Sequence, residues 1–240
     1  MLFGNGKVIV MWKERTETLI GREAVERLAS SRIAVFGIGG VGSYAVEALA
    51  RAGIGKLDLI DSDVYCETNF NRQLYATLST LGMFKTEAAK AHILDINPGC
   101  AVTTVNKKFS PENQADFDFS VYDYVIDAID SVDCKAALIK KCFDENINII
   151  SSMGAGNRLD SGRFMVADIF TTSVDPLAKV MRARLKGLGV TRLKVVYSTE
   201  TPSKVNEDRV IGSLSCVTAA AGLMLAGEAI KDIINIKGFV

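Results

Sequence analysis

Histidine is nearly absent from this chain, since His92 is the only one in 240 residues. A histidine-based catalytic triad or a metal site with several histidines therefore cannot form within one chain. Five cysteines are present, but no two have the CxxC spacing, which excludes a tetracysteine zinc site and gives no disulfide framework. This cysteine usage is typical of a reducing compartment, so we expect a cytoplasmic protein. His92 falls in an expected helix, where we interpret it as a surface or packing residue.

Net charge is also missing, because 28 basic and 28 acidic side chains cancel at neutral pH. Global charge therefore predicts no partner, and any nucleic-acid surface must be a local patch. The most apolar long stretch, residues 217–230, contains Glu228 and is shorter than the ~20 residues that span a bilayer. We expect it to form a buried helix, with no stable membrane insertion. Residues 1–11 lack a basic start and a cleavage site, so we expect no secretory signal.

Apolar residues make up 48% of the chain, which is enough for the core of one large α/β domain. Short β-branched segments alternate with helical ones, which predicts parallel βαβ units in a doubly wound, Rossmann-like sheet. In such sheets, ligands bind outside the carboxyl ends of the strands. The predicted strands are 33–36, 56–60, 101–105, 124–127 and 147–151, and the predicted helices are 42–52, 85–96 and 132–145.

The pattern changes after Ser152. Two further strands are expected at 164–169 and 193–197, added to the sheet in antiparallel orientation, with a helix at 175–186 between them. A polar loop at 199–212 and a final amphipathic helix at 213–236 complete the chain. Because no repeat or linker separates these parts, we predict a single domain over residues 1–240.

A glycine-rich turn follows the first predicted strand. Gly37, Gly39, Gly40 and Gly42 form a GxGGxG pattern. Without side chains, these residues allow a tight turn and a close approach of phosphate to the positive end of the next helix. The pattern alone is weak, and its commonest occurrence is in dinucleotide enzymes.

Polar residues downstream of the turn indicate which nucleotide binds. Asp61 ends the next strand, where a ribose-binding carboxylate is expected, although a turn-capping role is the alternative. Asn69 can bind phosphate or ribose, and Arg72 can contact two phosphate oxygens at once. Lys85 opens a helix, where its charge opposes the helix dipole unless an anion is close. Two cations beside a glycine turn favour a triphosphate over a redox cofactor.

Two aspartates follow the fourth predicted strand. A carboxylate beside a bound triphosphate is a natural ligand for Mg²⁺, which binds through one or two carboxylates and phosphate oxygens. We assign this role to Asp130. For Asp127, a metal role and a turn-stabilising role are equally good interpretations.

These residues belong to a larger set spread over positions 15–152. The set comprises Arg15, the run from Gly37 to Ser43, Asp61, Asp63, Asn69, Arg72, Gln73, Lys85, Asn97, Pro98, Asp127 and Asp130. Together they resemble the ubiquitin-activating-enzyme-like superfamily, which includes bacterial adenylyltransferases for sulfur-carrier proteins. The resemblance implies that 15–152 is an ATP-binding half and that 153–240 is a substrate and dimer half.

The resemblance also implies ATP and Mg²⁺ as cofactors and transfer of AMP onto a carboxylate. By analogy, Asp61 holds the ribose, Asn69, Arg72 and Lys85 handle the phosphates, and Gln73 completes the nucleotide site. Catalytic roles fall to Arg72, Lys85, Asp130 and Arg15. Arg15 resembles an arginine that reaches into the neighbouring subunit's site, which implies a homodimer.

Motifs in both halves resemble, more narrowly, the tRNA threonylcarbamoyladenosine dehydratase branch of the superfamily. They are Arg15 to Glu17 with Leu19 to Gly21, Asp127 to Ser131, Gly154 to Asp160, Asp175 to Ala178, and Val196 to Glu200. This resemblance implies an ATP-dependent cyclisation of the threonylcarbamoyl group on the adenosine next to the tRNA anticodon. Adenylation of the threonyl carboxylate would precede ring closure, and AMP and pyrophosphate would be released.

A tRNA substrate needs a basic surface, and residues 176–199 contain six basic residues and no acidic one. Residues 179, 182 and 186 share one helix face. A solvated helix on a neutral protein is the alternative. We predict tRNA contacts from Lys179, Arg182, Arg184, Lys186 and Arg158, extended by Lys204.

Three other functions remain open. An adenylyltransferase for the C-terminal glycine of a small sulfur-carrier protein would use the same ATP site, although such enzymes often carry CxxC zinc ligands. An NAD-dependent oxidoreductase would leave Arg72 and Lys85 unexplained, and a non-catalytic nucleotide- or tRNA-binding module would not turn ATP over. A sulfur-transfer or reductive partner protein is also open. Cys216 begins the last helix, where a thiol can be activated, but we expect it to pack in the core.

Overall fold

A computed structural model describes residues 11–203 and 211–235. Within this part of the chain, seven strands alternate with seven α-helices. The strands are β1 (Arg32–Phe36), β2 (Lys56–Ile60), β3 (Ala101–Val105), β4 (Tyr124–Asp127), β5 (Ile149–Ser152), β6 (Phe164–Asp168) and β7 (Lys194–Ser198). The helices are α1 (Glu14–Ile20), α2 (Arg22–Ser30), α3 (Gly42–Ala52), α4 (Lys85–Ile96), α5 (Val132–Asp144), α6 (Pro176–Gly187) and α7 (Ser215–Ile233).

All seven strands form one sheet in the order β3-β2-β1-β4-β5-β7-β6. Every neighbouring pair is parallel except β6 with β7. The predicted fold class is confirmed, with one refinement: β7 is parallel to β5, so only β6 runs against the rest. The chain leaves β1 in one direction to β2 and β3 and later returns to its other side at β4, which opens a crevice at their carboxyl ends.

Helices cover both faces of the sheet. Buried apolar residues of α2, α3, α4 and α7 pack on one face. On the other face, α5 and α6 pack over β5 and β7, and a group of phenylalanines packs over β1. The central strands are therefore buried on both sides, which explains why β1 and β4 read as continuous apolar runs.

Close contact between α3 and α7 supports the helix that follows the glycine turn. A Cβ atom added to Gly222 would lie 2.2 Å from the backbone oxygen of Val41, so only glycine allows this approach. In the parts of the chain that the structure describes, no helix is long and apolar enough to cross a membrane.

The predicted bounds of β2, β3, β4, α3 and α4 are confirmed, and those of the other predicted strands and helices differ from the observed ones by one to three residues at an end. Ile147 does not open β5, because its N–H closes the end of α5 on the backbone oxygen of Cys142, at 2.9 Å. Asp168 ends β6, since its carboxylate accepts a hydrogen bond from the N–H of Phe170 and starts a short 3-10 turn. Of the expected polar loop, residues 204–210 lie outside the described residues.

Candidate functional site

The glycine turn lies where the chain crosses from β1 to β4. Gly37 has a φ of 88° and donates its N–H to the backbone oxygen of Ile60, at 2.8 Å. A Cβ atom on Gly37 would lie 2.7 Å from the backbone oxygen of Ala128, and one on Gly42 would lie 1.8 Å from that of Gly37. Glycine is therefore required at both positions, and the turn is held firmly between the ends of β2 and β4.

Asp61 connects this turn to the segment after β2. One of its carboxylate oxygens accepts the N–H of Ile38 at 2.7 Å, and the other accepts the N–H of Asp63 at 2.9 Å. The structure thus shows the turn-capping contacts; contact with a ribose stays a prediction. Burial raises the pKa of the Asp61 carboxyl above its ordinary value, and the ammonium of Lys85 partly opposes this shift.

Lys85 is the first residue of α4, as the sequence predicts, and the structure shows that it is buried. Its Nζ donates to a carboxylate oxygen of Asp63 at 2.7 Å and lies 4.0 Å from one of Asp61. These two carboxylates balance the charge that would otherwise oppose the helix dipole. The ammonium therefore lies beside the Asp61 turn, at the carboxyl edge of the sheet.

A turn over residues 69–73 lies against the glycines. Carbon atoms of Arg72 pass 3.2 Å from where a Cβ of Gly40 would be, and its guanidinium donates to the backbone oxygen of Thr68 at 2.9 Å. The side-chain amide nitrogen of Gln73 lies 3.9 Å from where a Cβ of Gly39 would be.

Buried polar atoms in the same turn bear on what it can bind. The Oδ1 of the buried Asn69 accepts the N–H of Cys66 at 3.2 Å and shapes the turn. The Oε1 of Gln73 is buried without a hydrogen-bond partner among the described residues. A buried oxygen without a partner is costly, and a donor on a nucleotide would satisfy it. The residues present thus fit a nucleotide between the glycine turn, Gln73 and Lys85.

Asp127 and Asp130 have separate environments. Asp127 is fully buried and pairs with the Nζ of Lys135 at 2.8 Å, the hydroxyl of Ser151 at 2.6 Å and the N–H of Ile129 at 3.1 Å. Of the two interpretations, the structure shows the turn-stabilising one. Asp130 is exposed at the end of the same turn.

A role of Asp130 in holding Mg²⁺ stays a prediction, and the ion would need only one or two carboxylates if phosphate oxygens and water supply the other ligands. Among the described residues, no three acidic, histidine or cysteine side chains are grouped as a metal site, so a closed all-protein cage is not present there.

Sequence reasoning missed Lys135 and Ser151, which complete the buried group around Asp127. A signal existed, since Lys135 lies three, four and seven residues before Leu138, Ile139 and Cys142, all buried on one face of α5. A lysine on an apolar helix face needs a buried carboxylate, and Asp127 was the acidic residue at the neighbouring strand end.

Arg15 does not reach the nucleotide site of its own chain. It is exposed on α1. The neighbouring Lys13 packs at Gly53, at the end of α3 opposite to the glycine turn. Since α3 has 11 residues, about 16 Å separates its two ends. A role for Arg15 in a neighbouring subunit stays a prediction.

The predicted basic surface is only partly free. Lys179 and Lys186 are exposed on α6, but Arg184 pairs with Asp133 at 2.7 Å, and Arg182 donates to the backbone oxygen of Thr172 at 2.9 Å. Acidic and polar residues from other segments thus engage two of the four α6 cations, which the local sequence did not show.

The prediction that Arg158 belongs to that surface was wrong. Its side chain is fully buried and forms an ion pair with the buried Asp175 at 2.8 Å. A phosphate of an RNA backbone cannot reach it, so Arg158 is not part of a surface patch. Lys204 lies outside the described residues.

Two further expectations concern reactive side chains. His92 lies on α4 at the surface, with its Nε2 3.0 Å from a carboxylate oxygen of Glu47. Cys216 is exposed at the start of α7, so the expectation that it packs in the core was wrong. It lies on the outer side of the first turn of α7, whereas Val217 and Thr218 of the same turn are buried.

Comparison with known proteins identifies the family. Residues 14–239 match the ThiF family. The chain belongs to the ThiF family. It is 41% identical to a tRNA threonylcarbamoyladenosine dehydratase of Bacillus subtilis over 92% of this chain and 94% of that protein. A protein of the same name from Escherichia coli is 38% identical over 92% of this chain and 93% of its own length. The resemblance described from the motifs is thereby confirmed.

Solved structures agree with this result. The E. coli dehydratase TcdA in complex with AMP has a TM-score of 0.88 and 39% identity, covering 96% of this chain and 98% of that one. TcdA in complex with ATP has a TM-score of 0.87 and 40% identity, with the same coverage. E. coli MccB, at 18% identity and a TM-score of 0.66, shares the fold.

Adenylyltransferases in the family match a smaller part of the chain. The molybdopterin-synthase adenylyltransferase of Haemophilus influenzae is 34% identical over 56% of this chain and 54% of its own length. The dehydratases therefore resemble this chain over nearly its whole length, whereas this adenylyltransferase does so over little more than half.

Proposed function

We propose that this protein dehydrates threonylcarbamoyladenosine next to the anticodon of tRNA by an ATP-dependent cyclisation. The observation that carries the proposal is full-length similarity to dehydratases, one of which binds ATP in the same fold. The geometry supports it, because Arg72 lies against Gly40 and Lys85 lies beside Asp61, so that two cations flank the glycine turn at the carboxyl edge of the sheet.

The first step activates a carboxylate. A carboxylate is a poor acyl electrophile, so an oxygen of the threonyl carboxylate attacks the α-phosphorus of ATP and pyrophosphate leaves. The product is a mixed anhydride of the threonyl carboxylate with AMP. Arg72 and Lys85 would stabilise the negative charge that grows on the phosphates. Removal of one such donor typically costs about 3 kcal/mol of transition-state stabilisation, or ~100-fold in rate.

The second step closes a ring. The substrate's own carbamoyl group attacks the activated carbonyl carbon, loses one N–H proton, and AMP leaves with the former carboxylate oxygen. The substrate thereby loses the elements of water. Intramolecular attack gains from proximity and needs no nucleophile from the protein, which fits a chain without an evident catalytic thiol or histidine at this site.

Mg²⁺, when bound by Asp130 and the phosphates, would supply positive charge to the triphosphate. The Asp127 group would keep Asp130 in place, since Asp127 accepts the N–H of Ile129 next to it. Asp61 would accept hydrogen bonds from the ribose with lone pairs that the Ile38 and Asp63 amides leave open.

We further propose that two copies of the chain act together and that Arg15 completes the site of the partner subunit. The position of Arg15 away from its own glycine turn supports this arrangement. Lys179 and Lys186 would contribute to tRNA phosphate contacts, because both are exposed on one face of α6.

The test is a mass analysis of nucleosides from threonylcarbamoyl-modified tRNA after incubation with the protein, ATP and Mg²⁺. We expect the threonylcarbamoyladenosine peak to lose the mass of one water, in step with formation of AMP and pyrophosphate. Unmodified tRNA and a non-hydrolysable ATP analogue serve as controls, and neither should give the product.

An unchanged peak with properly modified tRNA would contradict the proposal. The next substrate would then be the C-terminal glycine of a small sulfur-carrier protein, whose adenylation would be read as exchange between ATP and labelled pyrophosphate. Hydrolysis of ATP with neither substrate altered would favour a nucleotide-binding module without an acceptor.

A further inference from the structure

Three motifs with no role in the nucleotide site meet in one buried cluster. They are residues 154–160, 175–178 and 196–200, which are far apart in the sequence. Arg158 joins them: its Nε donates to the backbone oxygen of Gly154 at 2.9 Å, one terminal nitrogen to Asp175 at 2.8 Å, and the other to the backbone oxygen of Glu200. We call Gly154, Arg158, Asp175 and Glu200 the Arg158 cluster.

The carboxylates of the cluster are fully engaged. Asp175 also accepts the N–H of Gly154 at 3.1 Å and that of Ala178 at 2.9 Å, which caps the start of α6. Glu200 accepts the N–H of Leu159 and that of Asp160, each at 3.0 Å. One guanidinium and two carboxylates therefore determine the path of the chain from residue 154 to residue 160.

This path runs along the carboxyl edge of the sheet. Residue 154 follows β5 and residue 200 follows β7, and β5 lies next to β4, which leads to Asp130. The cluster therefore holds the loop that neighbours the expected phosphate and metal position. Ligands of such sheets lie at this edge.

Asn157 extends the contact to the segment that enters α7. Its φ is 56°, a conformation that asparagine tolerates. Its N–H donates to the backbone oxygen of Gly212 at 2.8 Å, and its Oδ1 accepts the N–H of Gly212 at 2.6 Å. The loop and residues 211–213 thus form one continuous wall.

The wall also touches the nucleotide site itself. The side-chain amide of Asn71 donates to the backbone oxygen of Ser213 at 3.0 Å. The hydroxyl of Thr218 lies 3.4 Å from where a Cβ of Gly40 would be. The wall formed by residues 154–160 and 211–213 therefore stands beside the glycine turn and the segment that carries Arg72.

A buried ion pair is an expensive way to fill this space. Removing both charges of Arg158 and Asp175 from water costs more than packing apolar side chains of similar volume, so stability alone does not account for them. The guanidinium contributes directional hydrogen bonds, because its planar set of donors fixes three segments in one geometry.

We infer that Arg158 is a positioning residue for the acceptor substrate. It holds the wall that receives the threonylcarbamoyl nucleoside beside the α-phosphate, and nucleotide binding does not depend on it. This inference rests on the proposed function.

Arg158→Lys and Glu200→Gln test it with two separate readouts, the affinity for a fluorescent ATP analogue and the kcat and KM for modified tRNA. Lysine keeps the charge but cannot reach three acceptors at once. We expect Arg158→Lys to lower kcat/KM for modified tRNA about 100-fold, as misplacement of a reacting group by about 1 Å does. Affinity for the ATP analogue should stay within about threefold.

Glu200→Gln is the milder variant, because one amide oxygen replaces two carboxylate oxygens and Glu200 is only partly buried. We expect a loss of about tenfold in kcat/KM for modified tRNA. Thermal unfolding will show whether Arg158→Lys folds. If it does not, Glu200→Gln alone tests the inference. Arg163→Lys is the matched control, since Arg163 is exposed in the same segment; it should match the wild type on both readouts.

Two results would overturn the inference. One is that ATP affinity and tRNA turnover fall by the same factor in folded Arg158→Lys or Glu200→Gln. The other is that both folded variants keep wild-type kcat and KM. If the wild type itself removes no water from modified tRNA, the proposed function fails, and the inference falls with it before any variant is compared.

Discussion

At the scale of single residues, the site is defined by charges that are paired inside the chain before any ligand arrives. Lys85 lies between Asp63 and Asp61, and Asp127 has its own lysine. Such pairing offsets part of the cost of taking these charges out of water. Each of these residues therefore contributes to the stability of the fold as well as to the site, and experiments with variants must measure the two contributions separately.

Lys85→Ala should lower the rate of AMP formation with modified tRNA by about 100-fold or more, because a cation beside the phosphates is lost. Initial rates of AMP release measure this. The matched control is Lys90→Ala, which removes a lysine five residues further along the same helix. AMP formation at wild-type rates by folded Lys85→Ala would remove Lys85 from the catalytic set.

Asp130→Asn should weaken the response to Mg²⁺ while leaving the fold intact, since Asp130 is exposed. We expect the Mg²⁺ concentration that gives half-maximal AMP formation to rise about tenfold or more, because one of the one or two carboxylates that hold the ion is lost. A Mg²⁺ titration of initial rates measures it. An unchanged half-maximal concentration would place the ion elsewhere.

Asp61 should make nucleotide affinity sensitive to acid. Its pKa is raised by burial, so it takes up a proton at a higher pH than an ordinary aspartate, whose pKa is about 3.9. The protonated carboxyl has fewer acceptor sites for ribose, so affinity should fall as pH falls. Titrations with an ATP analogue between about pH 7.5 and pH 5 measure this. Asp61→Asn should bind weakly with a flat profile; two parallel profiles would contradict the assignment.

At the scale of secondary-structure elements, α5 is attached to the sheet by an ion pair as well as by apolar packing. Lys135 and Asp127 are both fully buried, with Ser151 of β5 as a third member. The group joins β4, β5 and α5 directly below the turn that carries Asp130. Loss of one member of the group should therefore lower the stability of the fold and disturb the turn that carries Asp130.

Lys135→Met should destabilise the fold by about 3–5 kcal/mol, because Asp127 is left buried without a counter-charge. In a chain of this length, that corresponds to a fall of about 10 °C in Tm. Adding Asp127→Asn should recover part of the loss. The control is Lys107→Met, which breaks an exposed pair with Asp116 and should change stability by less than about 1 kcal/mol. Equal effects of Lys135→Met and Lys107→Met would refute this account.

The surface of α6 makes its own prediction. Lys179→Glu with Lys186→Glu should weaken tRNA binding about tenfold at low salt and flatten its salt dependence, since two phosphate contacts are replaced by repulsion. Affinity for an ATP analogue should not change. Arg184→Glu is the comparison, because Arg184 already pairs with Asp133. Unchanged tRNA affinity in the double variant would exclude this face of α6 from the tRNA surface.

At the scale of the whole molecule, one chain contains a nucleotide cradle but not every residue of the expected active site. Arg15 is exposed on α1, near the end of α3 that lies away from the glycine turn. If two chains pair so that Arg15 enters the partner's site, activity is a property of the dimer.

A mixing experiment tests this. Arg15→Ala and Lys85→Ala should each be nearly inactive. Co-refolded in equal amounts, half of the dimers are mixed and each mixed dimer has one intact site, so about a quarter of wild-type activity should return. Refolding each variant alone is the control. Absence of recovery from a mixture that does form mixed dimers would show that Arg15 does not act across the interface.

Much of the fold could be predicted because local patterns agree with the tertiary structure. The five strands and three helices of the first half were placed within a few residues, since β-branched apolar runs and amphipathic periods follow directly from burial. The glycine turn, Asp61 and Lys85 were found at strand and helix ends for the same reason. Arg158 was misassigned because its partners, Asp175 and Glu200, are distant in sequence.

The sequence by itself determined the class of fold, the position of the glycine turn and the type of nucleotide expected there, because strand ends and glycines are local features. Only the tertiary structure decided which charges are free. In the folded chain, Arg158 is buried against Asp175, Arg184 pairs with Asp133, and Asp127 pairs with Lys135. Asp130 and Cys216 are exposed. The physical reason is that pairing and burial depend on contacts between segments that are far apart along the chain, and local sequence does not report them.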